Sequence, residues 1–392
     1  MKKAEIVIIG GGVVGASVAY HLTRRGARDV LILERETAQG AGSTGKATGG
    51  VRAQFETEIN IKMSLYSLDF FKNWDFDCGY EPRGYLFFTT DARQFEYLRR
   101  NVETQRSHGV KGVEIVDREA IREICPILNC DDIAGGSFGR SDGFINPLAV
   151  MRGFTAKAVE SGARIEFETR VLSIATEHGK VKAVETDKGT IECEKVVLAS
   201  GAWAKELAKT AGIGLPVEPQ KRQIIWAKSE RRLPENLPMV IDLGSGFHFR
   251  PARDFVDSSA NSDNREVLFA FPDPQEKSSF DVNFDEAFIE KVYEKARHRA
   301  PFLFETVPVL AKCRAGLYEN TPDHHAILGG CAEVEGLYFA NGFSGHGVMH
   351  SPATGRALAE IMLDQKASFL DVSCLSFERF AKGELLHETA FI

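Results

Sequence analysis

Gly10, Gly12 and Gly15 stand at G-x-G-x-x-G spacing in the run VIIGGGVVGASVAYHL, and Glu34 follows nineteen residues after Gly15. Residues of these types at this spacing can hold a dinucleotide. Gly10 permits a tight turn, Gly12 admits the backbone close to a pyrophosphate, and Gly15 lets a helix lie against a strand. A helix N-terminus presents unpaired N–H groups and a partial positive charge to the phosphates. A carboxylate such as Glu34 accepts hydrogen bonds from a ribose diol. The glycine motif alone leaves NAD and FAD open.

Because the motif is short, the elements around it decide. Residues 4–9 form an apolar, β-branched run that reads as a buried strand. Ala16, Val18, Ala19 and Leu22 then recur at helical spacing up to about Gly26, and residues 30–33 read as a second strand ending on Glu34. Strand, glycines, helix, strand and acid fall in the order a dinucleotide site needs. Further along, the sequence predicts a Gly/Ser-rich loop over 39–50, helices over 59–74 and 91–109 and from 147, and a buried strand over 195–199. Strands are expected near 84–90, 222–227, 246–250 and 266–271, and a helix near 285–297. The stretch SPATGRALAEIMLD reads as a helix with Ser351 as N-cap and Pro352 at the first position.

A chain of 392 residues suits two domains, and 43% hydrophobic with 26% charged residues is a globular composition. The net charge of −7 argues against nucleic acid or an anionic membrane as the main partner. Seven cysteines without a C-x-x-C pair are expected to be reduced thiols, and no metal site is expected. No apolar run approaches membrane-spanning length, so a cytoplasmic location is expected.

Four stretches in order along the chain, IVIIGGGVVGASVAYHL, GSTGKATGGVRAQF, VVLASGAWAKEL and GLYENTPDHHAILGG…GLYFANGFSGHGVMHSPATGRALAEIML, resemble the D-amino-acid-oxidase-type flavoproteins. The similarity is strongest to the branch of sarcosine oxidases, dimethylglycine dehydrogenases and bacterial proline dehydrogenase subunits. The resemblance implies FAD as cofactor and an α/β (α+β overall) fold, with a Rossmann-like FAD-binding domain and a β-rich substrate domain, as in glutathione-reductase-type flavoproteins. On this basis the FAD-binding domain is expected over 1–85, 145–215 and 320–382, the substrate domain over 86–144 and 216–319, and a tail over 383–392. The expected cofactor contacts are Gly10, Gly12, Val14, Gly15, Glu34, Arg35, Ser43, Thr44, Gly50, Val51 and Val171. They continue with Ser200, Gly201, Trp203, Gly342, Gly345, His346, Gly347, Val348 and Met349. Gly345-His346-Gly347 is expected at the pyrimidine edge of the flavin, where N–H groups and a helix dipole stabilise the reduced ring.

The resemblance also implies oxidation of the C–N bond of a secondary or tertiary amino acid such as sarcosine, proline or dimethylglycine, by hydride transfer to flavin N5. Arg52 matches the arginine that grips the substrate carboxylate, and Tyr318 a tyrosine near the carboxylate or amine; both, with His346, are the expected catalytic residues. His248, Arg250 and Met349 are expected to line the substrate pocket. The covalent flavin attachments of the family have no counterpart: Gly316 stands where a cysteine would, with Cys313 three residues earlier, and Gly45-Lys46 where a histidine would. Non-covalent FAD is therefore expected. Met349 replaces a carboxylate-binding lysine, and REVLFAF lacks an oxygen-activating one. That tilts the expectation to a dehydrogenase passing electrons to oxygen slowly, to another acceptor, or to a partner subunit. The alternatives are oxidation of a primary amino acid such as glycine or a D-amino acid, oxidation of a 2-hydroxy acid, or an electron-relay subunit.

Overall fold

Five strands lie parallel in the order Arg164–Glu166, Val30–Leu33, Lys2–Ile9, Gly189–Leu198 and Leu337–Asn341. The computed structural model describes residues 2–252 and 264–388. Met1, 253–263 within the expected substrate segment, and 389–392 of the expected tail lie outside the described residues. Ile6, Val7, Ile8, Val196 and Val197 are wholly buried, as strands covered on both faces must be. Register pairs Ile9 with both Leu33 and Leu198, and Leu198 with Phe339. The turns that follow, at Gly10, Glu34, Ser200 and Asn341, therefore meet along one edge. This carboxyl edge of parallel strands is where open α/β sheets form their ligand crevice.

Three helices, Val13–Arg24, Pro147–Glu160 and Gly347–Asp364, pack together on one face of this sheet. The first and last touch at backbone distance. A Cβ on Gly355 would lie 2.6 Å from the Ser17 carbonyl oxygen, and Ser17 Oγ donates to the Ser351 carbonyl at 2.7 Å.

The last long helix corrects the expected start. It begins at Gly347 with His346 in the N-cap position, so Pro352 lies inside the helix and Ser351 is not its cap. Pro352 has no N–H for the Val348 carbonyl one turn back. Ser351 Oγ donates to that carbonyl instead, at 2.8 Å, and the helix continues through. The extra turn brings its N-terminus to the glycine–histidine–glycine segment.

A second sheet runs in the order Thr306–Pro308, Glu218–Ser229, Glu266–Ala270, His248–Pro251, Met239–Asp242, Tyr85–Thr89, Gly135–Gly139 and Val113–Val116. The long strand Glu218–Ser229 also pairs with Arg314–Asn320, which carries Tyr318 toward the first sheet. The other predicted helices form at Glu58–Asn73, Ala92–Ser107 and Ala287–Arg299, with Asp91 and Asn146 capping the starts of theirs and of Pro147–Glu160. All seven cysteines are free thiols. Among the described residues no helix is long and apolar enough to cross a membrane, and no cluster of side chains could hold a metal ion.

Candidate active site

A cavity of about 420 Å³ runs along the carboxyl edge of the parallel sheet and continues between the two sheets. At one end Gly10, Gly12 and Val14 form its wall with Glu34 and Arg35. Gly10 has φ +108, and a Cβ there would lie 2.4 Å from the Ala199 carbonyl oxygen, so only glycine fits. Gly12 is the N-cap of the first helix, and the neighbouring Val13 N–H donates to Thr44 Oγ1 at 3.1 Å. Glu34 accepts from the N–H groups of Gly11 and Glu36, both at 3.0 Å, which fixes its carboxylate and leaves further lone pairs. Arg35 lies over the Trp203 ring at 3.7 Å. Val171, Ser200 and Gly201 also line the cavity, and Ser200 Oγ is buried without a partner.

A fixed carboxylate, a helix N-terminus at the cavity wall and an unsatisfied hydroxyl are the acceptor and donor set that FAD requires. Gly15, Val51 and Gly342 stand behind this wall. Gly15 packs on the Gly10 carbonyl, Val51 is buried in the core, and Gly342 turns the chain beside Thr321.

At the other end the cavity collects Gly50, Arg52, Tyr318, His346 and Met349, with Gly345, Gly347 and Val348 at the start of the last long helix. Arg52 is 3% exposed, and its guanidinium lies 4.0 Å over the Phe55 ring. Its Nη2 is 3.4 Å from His346 Nε2. A guanidinium only donates, so Nε2 accepts and the imidazole proton sits on Nδ1. Burial, and then the Arg52 charge, hold His346 well below the usual histidine range, hence neutral. The Tyr318 ring occupies the space that Gly345 leaves open: a Cβ there would meet it at 2.5 Å. His248 lines the cavity and donates through Nδ1 to the Gly246 carbonyl at 2.8 Å. Arg250 does not line it. Its guanidinium is taken by the carbonyls of Pro251 and Thr48, behind the lining residues, which corrects the sequence expectation.

The Gly/Ser-rich loop is ordered by its own contacts. It contains a short helix, Ser43–Lys46, whose Ser43 Oγ donates to the Leu317 carbonyl at 2.7 Å. Arg314 donates to the carbonyls of Lys46 and Ala47, at 3.2 Å each, while Arg250 takes that of Thr48. Beyond the loop, buried Asp142 accepts from Ala53 N–H and from Gln54 Nε2, at 2.9 Å each, and so fixes the chain just after Arg52. Asp142→Ala leaves two buried donors unmet, and we expect it to cost about 2–4 kcal/mol in urea unfolding. Asp142→Asn, which keeps one acceptor, should lose less.

Sequence reasoning missed several charged groups on the cavity wall, among them Lys46 as a lining residue, Arg222 and Glu319. Each stands in a strand or loop whose local pattern is ordinary, and only the strand pairing Arg222–Gly316 and the turn at Asn341 bring them inward. Glu319 follows Tyr318 and accepts from the Phe343 N–H at 3.4 Å. The Asn341 amide beside it, oriented to satisfy both its ends, accepts from Gly201 N–H at 3.0 Å and donates to the Leu198 carbonyl. Burial pushes the Glu319 carboxyl up from 4.5 to about 7.

The raised value makes the folded protein bind this proton more tightly than the unfolded chain does. Wild-type stability therefore falls relative to Glu319→Gln as pH rises from 4.5 to 7, and the gap is constant above that. In the flavin-stripped protein we expect the two to match near pH 4.5 and the Gln variant to be about 2 kcal/mol more stable at pH 8, discounted for partial solvent access. Urea unfolding at the two pH values checks it.

With the geometry in place, similarity to known proteins is informative. Residues 5–361 match the family model described as FAD dependent oxidoreductase, DAO. The chain is 32% identical to FAD-dependent oxidoreductase domain-containing protein 1 of Xenopus laevis, over 99% of this chain and 84% of that protein. It is 28% identical to the mitochondrial dimethylglycine dehydrogenase of Homo sapiens, over 97% of this chain and 45% of the relative. The crystal structure of L-proline dehydrogenase from P. horikoshii superposes with a TM-score of 0.88 at 30% identity, covering 98% of this chain and all of that one. The fold, the FAD cofactor and the oxidoreductase class read from four short motifs are thereby borne out. The chain belongs to the DAO family of FAD-dependent oxidoreductases.

Proposed function

We propose that the protein oxidises the C–N bond of a secondary or tertiary amino acid of the sarcosine, proline or dimethylglycine kind. The observation that carries this reading is Arg52, a buried guanidinium on the cavity wall beside His346 and the Gly345–Gly347 segment. A planar cation removed from water is the natural partner of a substrate carboxylate, and low local polarity strengthens the pair. FAD, when bound, accepts the two electrons that leave the substrate carbon with its hydride.

The chain's own residues bind and select. Arg52 orients the carboxylate, and the ring of Tyr318 closes the pocket beside it. Arg52 places positive charge on the wall while burial disfavours the ionised form of Glu319. Such a pocket disfavours an ammonium and selects the neutral amine, whose lone pair assists hydride loss. Gly347 N–H and the start of the last long helix supply positive potential at the cavity wall.

The FAD is held without a covalent bond. Gly316 faces Lys46, with 3.1 Å between a Cβ placed there and Lys46 Cβ, and the Cys313 thiol points to the Trp226 carbonyl at 3.7 Å. Met349, where a lysine would stand in the sarcosine oxidases, supports a dehydrogenase. Lys46 lines the cavity, and a lysine cation there favours the second reading, an oxidase. Seven free thiols suit a reducing compartment such as the cytoplasm. The presence of two separate sheets supports a division into a discontinuous FAD-binding domain and a substrate domain.

Steady-state turnover with an artificial acceptor and with oxygen tests this. N-alkylated amino acids should give kcat/KM at least about tenfold above glycine, D-alanine and lactate, with the artificial acceptor the faster oxidant. Equal or higher values for lactate or a primary amino acid would overturn the substrate class.

A further inference from the structure

Arg222 has no part in the binding of a single carboxylate. It stands on strand Glu218–Ser229 directly across from Gly316, two residues along the partner strand from Tyr318. With no side chain at Gly316, the Arg222 guanidinium reaches to 5.3 Å from the centre of the Tyr318 ring and lines the same cavity. Among the described residues its one side-chain hydrogen bond runs from Nη1 to the neighbouring Lys221 carbonyl at 3.1 Å, and its Nε is shielded from water without a partner.

Among the described residues no carboxylate forms an ion pair with it. Glu276 and Asp273 act on it only through space, and Asp273 is engaged by Lys291 at 2.7 Å. Burial lowers its pKa accordingly. A half-buried cation without an anion is costly, and an arriving carboxylate relieves that cost while matching the guanidinium fork. Around Tyr318 the cavity wall thus carries two guanidinium groups, Arg52 and Arg222, and the Tyr318 phenol feels both charges.

We propose that the substrate is a dicarboxylic amino acid: Arg52 holds the carboxylate next to the reacting carbon, and Arg222 holds a second carboxylate at the far end. This rests on the Arg52 reading above and extends it to a second cation on the same cavity wall. Arg222 is in this account a specificity-determining residue.

The test uses oxidised, flavin-loaded enzyme and reads binding from the perturbed flavin spectrum, without turnover. Propionate and butyrate are compared with succinate and glutarate, which differ by the second carboxylate. Wild-type enzyme should bind the dicarboxylates at least tenfold more tightly. Arg222→Gln should erase that difference and leave the monocarboxylate Kd within twofold, and Arg222→Lys should keep part of it. No dicarboxylate preference in wild type, or a preference that survives Arg222→Gln, overturns the proposal. A flavin-free Arg222→Gln protein does so too, since it puts the guanidinium on the cofactor. Arg52→Gln separates the two claims: it should weaken both ligand types, and unchanged monocarboxylate binding would overturn the Arg52 reading while the Arg222 contrast is still measured.

Discussion

Replacing Arg52 by glutamine is expected to lower kcat/KM for the amino-acid substrate by roughly two to three and a half decades, with flavin content unchanged. The side chain is 3% exposed and packed over Phe55, so water cannot replace it at the substrate carboxylate. Truncating one member of a buried, hydrogen-bonded charge pair costs about 3–5 kcal/mol, and each 1.4 kcal/mol is about tenfold. Glutamine is shorter and neutral, and it loses both the charge and the fork. Arg52→Lys keeps the charge but not the bidentate geometry or the stacking, so it should fall between the two. Stopped-flow flavin reduction against substrate concentration checks this, and a change below threefold would remove Arg52 from the substrate.

The second large effect concerns the cofactor. Gly15→Ala is expected to yield protein with at most about a tenth of the wild-type flavin, destabilised by about 4 kcal/mol or more. A Cβ at position 15 would lie 2.0 Å from the Gly10 carbonyl oxygen and 3.2 Å from Ile8 Cγ2. Backbone on one side and the core of the sheet on the other leave no direction for relief. The helix must move off the strand, and the N–H groups at its start leave the cavity edge. Gly214→Ala is the control: that glycine is exposed, and a Cβ there would meet nothing within 4 Å. It should change stability by less than about 0.5 kcal/mol and keep full flavin. Flavin-to-protein absorbance ratios and thermal unfolding of both variants read the difference.

Much of the fold was legible because its signals are local. The run from Lys2 to Glu34 states its strand, turn, helix and strand in consecutive residues, each with the composition its position needs. Asp91 and Asn146 announce their helices as side-chain caps. The last long helix misled because Ser351-Pro352 has the chemistry of a helix start. What rescues an interior proline, a hydroxyl on the preceding residue reaching the orphaned carbonyl, looks the same in sequence as a cap.

The candidate site divides the same way. Residues inside motifs, such as Gly10, Glu34, Arg52, Tyr318 and His346, could be named from the chain alone. The contact between Arg52 and His346 joins positions 294 apart and follows from the topology of both sheets. Arg222 carries no local signal, since it faces the cavity only because Gly316 on the paired strand leaves room. Glu319 sits inside the GLYENTPD segment, but its surroundings come from Phe343 and Asn341 on another strand end. Burial and charge compensation are properties of the assembled cavity.

The most direct test of the central claim is anaerobic. Flavin-loaded enzyme is mixed with sarcosine, L-proline, dimethylglycine and a dicarboxylic N-methyl amino acid, one at a time, and the flavin band near roughly 450 nm is followed in a single turnover. The account predicts that at least one of these bleaches the flavin fully and that Arg52→Gln, equally loaded, bleaches at least about a hundredfold more slowly. A fully loaded flavin that no amino acid reduces would contradict it.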